Sequence, residues 1–189
     1  MNLSPRFSQS LSYAAELHRD QRRKVSGTPY VAHLLRVAGI VLEYGAGEDE
    51  AIAALLHDAV EDLGGRAIRA EIAQRFGDAV VAIIDGCTDT DQTPKPPWRP
   101  RKEAHLQSLR DASASVRLVA AADKLDNVRS LTSSYRSLGP SIWKHFKGGR
   151  EGTLWYYRAA VEVLKQSDAG PLVDELELAV GEFERLVAE

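Results

Sequence analysis

The stretch Ala51-Ile52-Ala53-Ala54-Leu55-Leu56-His57-Asp58-Ala59-Val60-Glu61-Asp62 decides how the rest of the chain is read. Glu48, Asp49 and Glu50 precede it, where carboxylates favour a helix N-terminus, and Gly64-Gly65 follow as a stop. The reading predicts a helix over residues 48–63, apolar from Ala51 to Leu56 after its acidic first turn. Within it, His57, Asp58, Glu61 and Asp62 interrupt the apolar run, and an unpaired charge is costly to bury. At 3.6 residues per turn Asp58 and Glu61, His57 and Glu61, and Asp58 and Asp62 are face-sharing pairs. An imidazole beside several carboxylates suits a divalent cation. A solvated polar helix face suits the same residues, and the His-Asp dipeptide alone does not separate the two readings.

Outward from this helix, apolar residues recur at spacings of three and four, and strand-like alternation is scarce. Ser4-Pro5 reads as the cap and first turn of a helix carrying Leu11, Ala14, Ala15, Leu17 and His18. A turn over residues 24–28 follows, and Pro29 starts a helix to about Tyr44, ended by Gly45 and Gly47. Beyond Gly65 comes a short helix with Ile68, Ile72 and Phe76 inward, then an apolar stretch from Val80 to Ile84. Pro94, Pro96, Pro97 and Pro100 predict an irregular loop over residues 88–101. Further helices are expected near residues 101–112, 116–131, 153–165 and 171–187. The expected architecture is a compact all-α bundle, one domain over residues 1–189.

Composition narrows the class. Apolar residues make up 44% of the 189 and charged residues 27%, as in ordinary folded proteins. A net charge of −3 argues against nucleic-acid binding by bulk electrostatics, so a polyanionic partner needs a local basic cluster. No run approaches the roughly 18 apolar residues of a membrane span, and the first residues lack the apolar core of a secretory signal. Cys87 is the single cysteine, which excludes an internal disulfide and suits a reducing cytoplasm.

Two other helices carry similar interruptions. Pro29-Tyr30-Val31-Ala32-His33 sets an imidazole early in an apolar stretch, and Val119-Ala120-Ala121-Ala122-Asp123-Lys124-Leu125-Asp126-Asn127 sets an aspartate after another. Singly, each also fits a core histidine or an aspartate paired with Lys124 or Arg129. Together, three helices offer two imidazoles and two carboxylates to one ion, leaving positions for water and substrate.

In this order the segments resemble the HD phosphohydrolase pattern. More closely, His18 to His33, Leu55-Leu56-His57-Asp58-Ala59-Val60-Glu61-Asp62, Phe76-Gly77 and Ala122 to Asn127 are similar to the hydrolase domain of the RelA/SpoT homologues, which cleave (p)ppGpp. The resemblance runs from about residue 10 to 135 and points to the small stand-alone alarmone hydrolases. It implies a manganese ion on His33, His57, Asp58 and Asp123, with Glu61 and Asp62 positioning or deprotonating the attacking water. It further implies release of pyrophosphate from the 3′ position of a small nucleotide, with Arg23 and Lys24 on phosphates and Asn127 near the nucleoside. Lys95, Trp98, Arg99, Arg101 and Lys102 make the proline-rich loop a candidate lid over a pyrophosphate, with Lys95 as a substrate contact. The family usually has His or Tyr where this chain has Asp126, and the added carboxylate is expected to repel a phosphate or alter nucleoside contacts. Alternatives are another 3′-phosphorylated nucleotide, such as NADPH or a pyrophosphorylated adenosine nucleotide, and a catalytically silent nucleotide sensor. No role is assigned to His105, and Trp143, His145, Trp155, Tyr156 and Tyr157 are left between pocket and core.

Overall fold

The computed structural model describes residues 2–90, 92, 94–166 and 170–189, and among these the architecture is all-α, as the spacing predicts. Helix α1 (Pro5–Leu17) starts as read: Ser4 Oγ accepts the Arg6 N–H at 3.2 Å, and Pro5 occupies the first turn, where its missing N–H costs nothing. Helices α2 (Val31–Glu43) and α3 (Glu48–Leu56) follow, separated by Gly45 at φ 81°. Between α1 and α2, Arg23 N–H bonds Thr28 O and Tyr30 N–H bonds Gln21 O, tying residues 21–30 into a tight loop turned by Gly27 at φ 68°.

The helix expected over residues 48–63 is not continuous. Regular α-helix ends at Leu56, His57 and Asp58 occupy a turn, and Val60–Gly64 form a wider π-type turn before α4 (Gly65–Phe76). Such widened turns recur at functional sites because they re-aim side chains that a regular helix would spread. Helix α5 (Asp78–Cys87) is followed by the proline-rich segment, of which residues 91 and 93 lie outside the described set.

Helix α6 (Trp98–Arg110) starts three residues earlier than expected, since Pro100 falls in its first turn, where no donor is needed. Helix α7 (Ala114–Leu138) runs a further two turns past Leu131 through a serine-rich segment, until Gly139 at φ 59° ends it. A 3-10 turn (Gly139–His145), α8 (Gly149–Gln166) and α9 (Pro171–Ala188) complete the chain. No helix is long and apolar enough to cross a membrane among the described residues.

Helix α3 sits at the centre. Ala51 to Leu56 are all fully buried against α1, α2, α5 and α7, and the alanines let those neighbours approach closely. Each buried Leu or Ile there contributes roughly 1.5–3 kcal/mol. Helix α7 threads from this centre to the far side, where α8 and α9 pack on it. The end of α3, the start of α2 and the middle of α7 therefore meet at one point, which is where the polar interruptions fall.

Candidate metal centre and its cavity

His33 comes from the first turn of α2, His57 and Asp58 from the break after α3, and Asp123 from the middle of α7. His57 Nε2 lies 3.1 Å from Asp58 Oδ2 and 3.5 Å from Asp123 Oδ1, and His33 Nε2 lies 3.6 and 3.3 Å from the same two oxygens. Both Nε2 atoms are buried, and neither has a hydrogen-bond partner. An orphaned buried nitrogen is costly, so two aimed at one point call for a ligand. Bonds of about 2.1 Å to a divalent ion place neighbouring donors about 3.0 Å apart in an octahedron and about 3.4 Å in a tetrahedron. The observed spacings fit. These four residues can hold a metal ion.

The tautomers agree. His57 Nδ1 lies 2.8 Å from the Ala54 carbonyl, which can only accept, so Nδ1 carries the hydrogen and the Nε2 lone pair faces the centre. His33 Nδ1 makes the equivalent bond to Asp126 Oδ2 at 2.6 Å. Burial acts against a charged His33, but Asp123, Asp126 and Asp58 outweigh it and raise its pKa to about 9. His57 is likewise raised against burial, chiefly by Asp58. Burial also opposes the charge on Asp58 and Asp123, yet both stay well below the usual carboxylate range, held by His57 and by Lys124 respectively. The pocket is arranged to hold positive charge.

A second ring of side chains fixes the first. The Tyr30 hydroxyl donates to Asp58 Oδ2 at 2.6 Å. Asn127 Nδ2 donates to Asp123 Oδ1 at 2.5 Å, while Lys124 Nζ donates to Asp123 Oδ2 at 3.0 Å. The Asn127 carbonyl oxygen in turn accepts from Arg23 Nη2 at 2.7 Å. Asn127, expected near a nucleoside, thus bridges Asp123 and Arg23 at the boundary between two compartments.

The larger compartment is a cavity of about 590 Å³ with His57, Asp58 and Asp123 in its wall. Arg22, Lys24, Lys95, Arg101, Lys102 and Lys147 face it, which supplies the local basic cluster that the net charge of −3 conceals. Glu61 and Asp62 line the same cavity. Glu61 accepts from Lys95 Nζ at 2.9 Å and from the Asp89 N–H at 3.2 Å, and Asp62 accepts from Gln21 Nε2 at 2.8 Å. Asp89 holds Arg101 and also Lys102, the latter at 2.7 Å. The smaller compartment, about 190 Å³, is lined by Arg23, Val25 and Ser130, and shares Lys24, Tyr30, Asn127, Leu131, Phe146 and Tyr157 with the larger one. Arg23 therefore faces the smaller compartment and a neighbouring groove of about 540 Å³, and does not line the metal-centre cavity. Cys87 touches the larger one as an inert thiol, its pKa pushed up to about 11 by burial.

The aromatics divide by role. Trp98 borders the cavity but wedges between Trp155 and the backbone of Gly148 and Gly152, where a Cβ on Gly148 would lie 2.7 Å from its ring. Trp143 packs on Tyr135, Phe146 and Phe183 in the core, while Tyr156 and Tyr157 are buried in the cavity wall and His145 stands exposed at its rim. Lys124 and Tyr30 went unassigned in the sequence, because Lys124 looks like a local partner of Asp123 and the bond from Tyr30 to Asp58 spans 28 residues.

Comparison with known proteins agrees with this geometry. Residues 10–154 match the HD domain family. The chain is 37% identical over 131 residues to the guanosine-3′,5′-bis(diphosphate) 3′-pyrophosphohydrolase MESH1 of Drosophila melanogaster, covering 68% of this chain and 70% of that protein. It is 36% identical over 160 residues to MESH1 of Xenopus tropicalis, covering 83% and 82%. A solved structure described as a metazoan ortholog of SpoT that hydrolyzes ppGpp superposes with a TM-score of 0.78 at 30% identity, over 98% of this chain and 97% of that one. With its motifs, fold and relatives in agreement, the chain belongs to the HD domain family, on the branch that holds the MESH1 proteins.

Proposed function

We propose that this protein is a divalent-metal-dependent guanosine-3′,5′-bis(diphosphate) 3′-pyrophosphohydrolase, with Mn²⁺ held by His33, His57, Asp58 and Asp123. The observation that carries the reading is the pair of orphaned Nε2 atoms, converging with two carboxylates on the wall of a cation-lined cavity. The MESH1 relatives are named for this activity, and the structural neighbour is described as hydrolyzing ppGpp.

When bound, the cation lowers the pKa of a water and polarises a phosphoryl oxygen. The chain's own groups do the rest. Lys24, Lys95, Arg101 and Lys102 neutralise the 3′-diphosphate, Arg101 as a planar fork and the lysines as point charges. Lys95 now pairs with Glu61, and transfer of that ammonium to a phosphate oxygen frees Glu61 to accept the proton of the attacking water. Attack at the 3′ phosphorus breaks its bond to the ribose O3′, which takes up a proton, and releases pyrophosphate with GDP or GTP. Asp62, which accepts from Gln21 and lines the same cavity, is the proton relay in this reading. Arg23 and Tyr157 present a cation and an aromatic face in the smaller compartment, which suits a nucleoside.

Thr153, Tyr156 and Tyr157 of α8 line the same cavity as the matched motifs, which supports reading residues 1–189 as one catalytic domain. A concave site of this size suits a free nucleotide rather than a nucleic acid, and a guanine nucleotide substrate with an unpaired Cys87 suits the cytoplasm.

The test is incubation of the purified protein with Mn²⁺ and a nucleotide panel, with products resolved chromatographically. Pyrophosphate is expected from ppGpp and is expected to vanish in Asp58→Ala. Turnover of NADPH alone overturns the substrate, and tight nucleotide binding without turnover overturns the hydrolase. Undiminished metal content in His57→Ala contradicts the ligand set.

A further inference from the structure

We infer that Asp126, clamped by Arg36, is a positioning residue that fixes the His33 imidazole with Nε2 toward the metal centre. The inference rests on the reading of His33 as a metal ligand and adds what keeps it one.

Asp126 was expected to meet the substrate. It does not line the metal-centre cavity; it is 2% exposed and borders a groove of about 540 Å³ between α2 and α7. Both of its oxygens are committed. Oδ2 accepts the His33 Nδ1–H at 2.6 Å and an Arg36 Nη2–H at 3.2 Å, and Oδ1 accepts from Arg36 Nε. The Arg36 pairing is a bidentate fork, the geometry that holds a carboxylate in one orientation and keeps it ionised. An ionised carboxylate on Nδ1–H fixes the tautomer, stops the ring rotating and makes Nε2 a better donor.

The contrast with His57 sharpens the point. The Nδ1 of His57 bonds the Ala54 carbonyl three residues earlier, in the last turn of α3, so local backbone fixes that ring. For His33 the carbonyl three residues earlier, that of Tyr30, accepts the backbone N–H of His33 at 2.9 Å, and the Nδ1 partner comes from another element instead. Asp126 of α7 reaches it across 93 residues of sequence. Arg36, one turn beyond His33 on α2, closes a triangle of side chains that locks α2 against α7 beside the centre.

The experiment measures Mn²⁺ affinity from the spin-resonance signal of free aqueous Mn²⁺, together with thermal unfolding of the metal-free protein. The variants are Asp126→Asn, Arg36→Met, their double mutant and His33→Ala. Asp126→Asn is expected to weaken Mn²⁺ binding by about 10–100-fold, the usual loss for an outer partner of a ligand. Arg36→Met is expected to weaken it several-fold, and the double mutant to bind no worse than Asp126→Asn, because the two act in series. In zinc-loaded protein, the ring ¹⁵N shifts of His33 are expected to leave the Nδ1-protonated pattern in Asp126→Asn.

Unchanged Mn²⁺ affinity with only a lower unfolding temperature makes Asp126 merely structural and overturns the inference. Unchanged affinity with a raised or lowered KM for ppGpp returns Asp126 to the substrate and overturns it too. His33→Ala with full affinity refutes the ligand reading beneath. Loss in His33→Ala alongside none in Asp126→Asn refutes only the clamp. Should Asp126→Asn not fold, Arg36→Met decides alone, since Arg36 is half exposed.

Discussion

His105 is 4% exposed, its Nδ1 has no hydrogen-bond partner, and Lys124 and Lys102 bear on it electrostatically. Burial, with Lys124 next, pushes its pKa down to about 3. The sign follows from the two states. In the unfolded chain His105 takes a proton near pH 6.5, while in the folded chain it stays neutral until about pH 3. Between those values the unfolded state binds one more proton, so stability falls as pH falls, by about 1.4 kcal/mol per pH unit for a full proton difference. His105→Gln removes that proton. Its stability, measured by denaturant unfolding from pH 7 to 4, is expected to fall less steeply than that of the unsubstituted protein, and an identical slope contradicts the account. The residues proposed to hold the metal were legible in the sequence, since His33, His57, Asp58 and Asp123 each break an apolar run. Their supports were not, because Asp126 to His33 and Arg23 to Asn127 are pairings across 93 and 104 residues that only the packed helices create.

At the scale of elements, the apolar spacing located nearly every helix, and the errors share a physical origin. Pro100 looks like a loop residue until one notes that the first turn needs no donor there. The serines after Leu131 have poor helix propensity, yet α7 continues because Leu131 and Tyr135 are packed by the C-terminal helices. The π-type turn had no signal beyond the glycine pair. Gly64-Gly65 was read as a helix stop, and it is one, but each glycine serves differently. A Cβ on Gly64 would lie 2.6 Å from Ile68 Cγ1, whereas Gly65 has open space and a backbone at φ 49°, ψ −125° that side chains disfavour. Gly65→Ala is therefore expected to cost about 1–3 kcal/mol from backbone strain alone. At 2–4 °C per kcal/mol for a chain of this size, the unfolding temperature drops by several degrees. A thermal melt followed by circular dichroism checks this, and an unchanged midpoint contradicts a strained turn behind Glu61 and Asp62.

For the whole molecule, the decisive connection is α7. Its first half carries Asp123, Asp126 and Asn127 to the centre, and its second half is gripped by the C-terminal helices. The grip has a focus in Phe183 of α9, fully buried, with its ring 6.4 Å from that of Tyr135 on α7 and 6.1 Å from that of Trp143 in the 3-10 turn. None of these residues touches the metal centre, and α9 lies beyond the residues matched to the HD domain family. If residues 1–189 form one cooperative unit, stability lost at Phe183 must be lost at the metal site as well. Phe183→Ala is expected to remove about 3–5 kcal/mol, a large share of the roughly 5–15 kcal/mol that holds a domain folded. Melting should remain a single transition shifted down by about 6–20 °C. Release of bound Mn²⁺ should track that same transition. Below it, turnover per folded molecule should stay close to that of the unsubstituted enzyme, because the cavity wall is untouched. Separate melting of the C-terminal helices, with Mn²⁺ retained until a second and higher transition, divides the chain into two units and contradicts the one-domain reading.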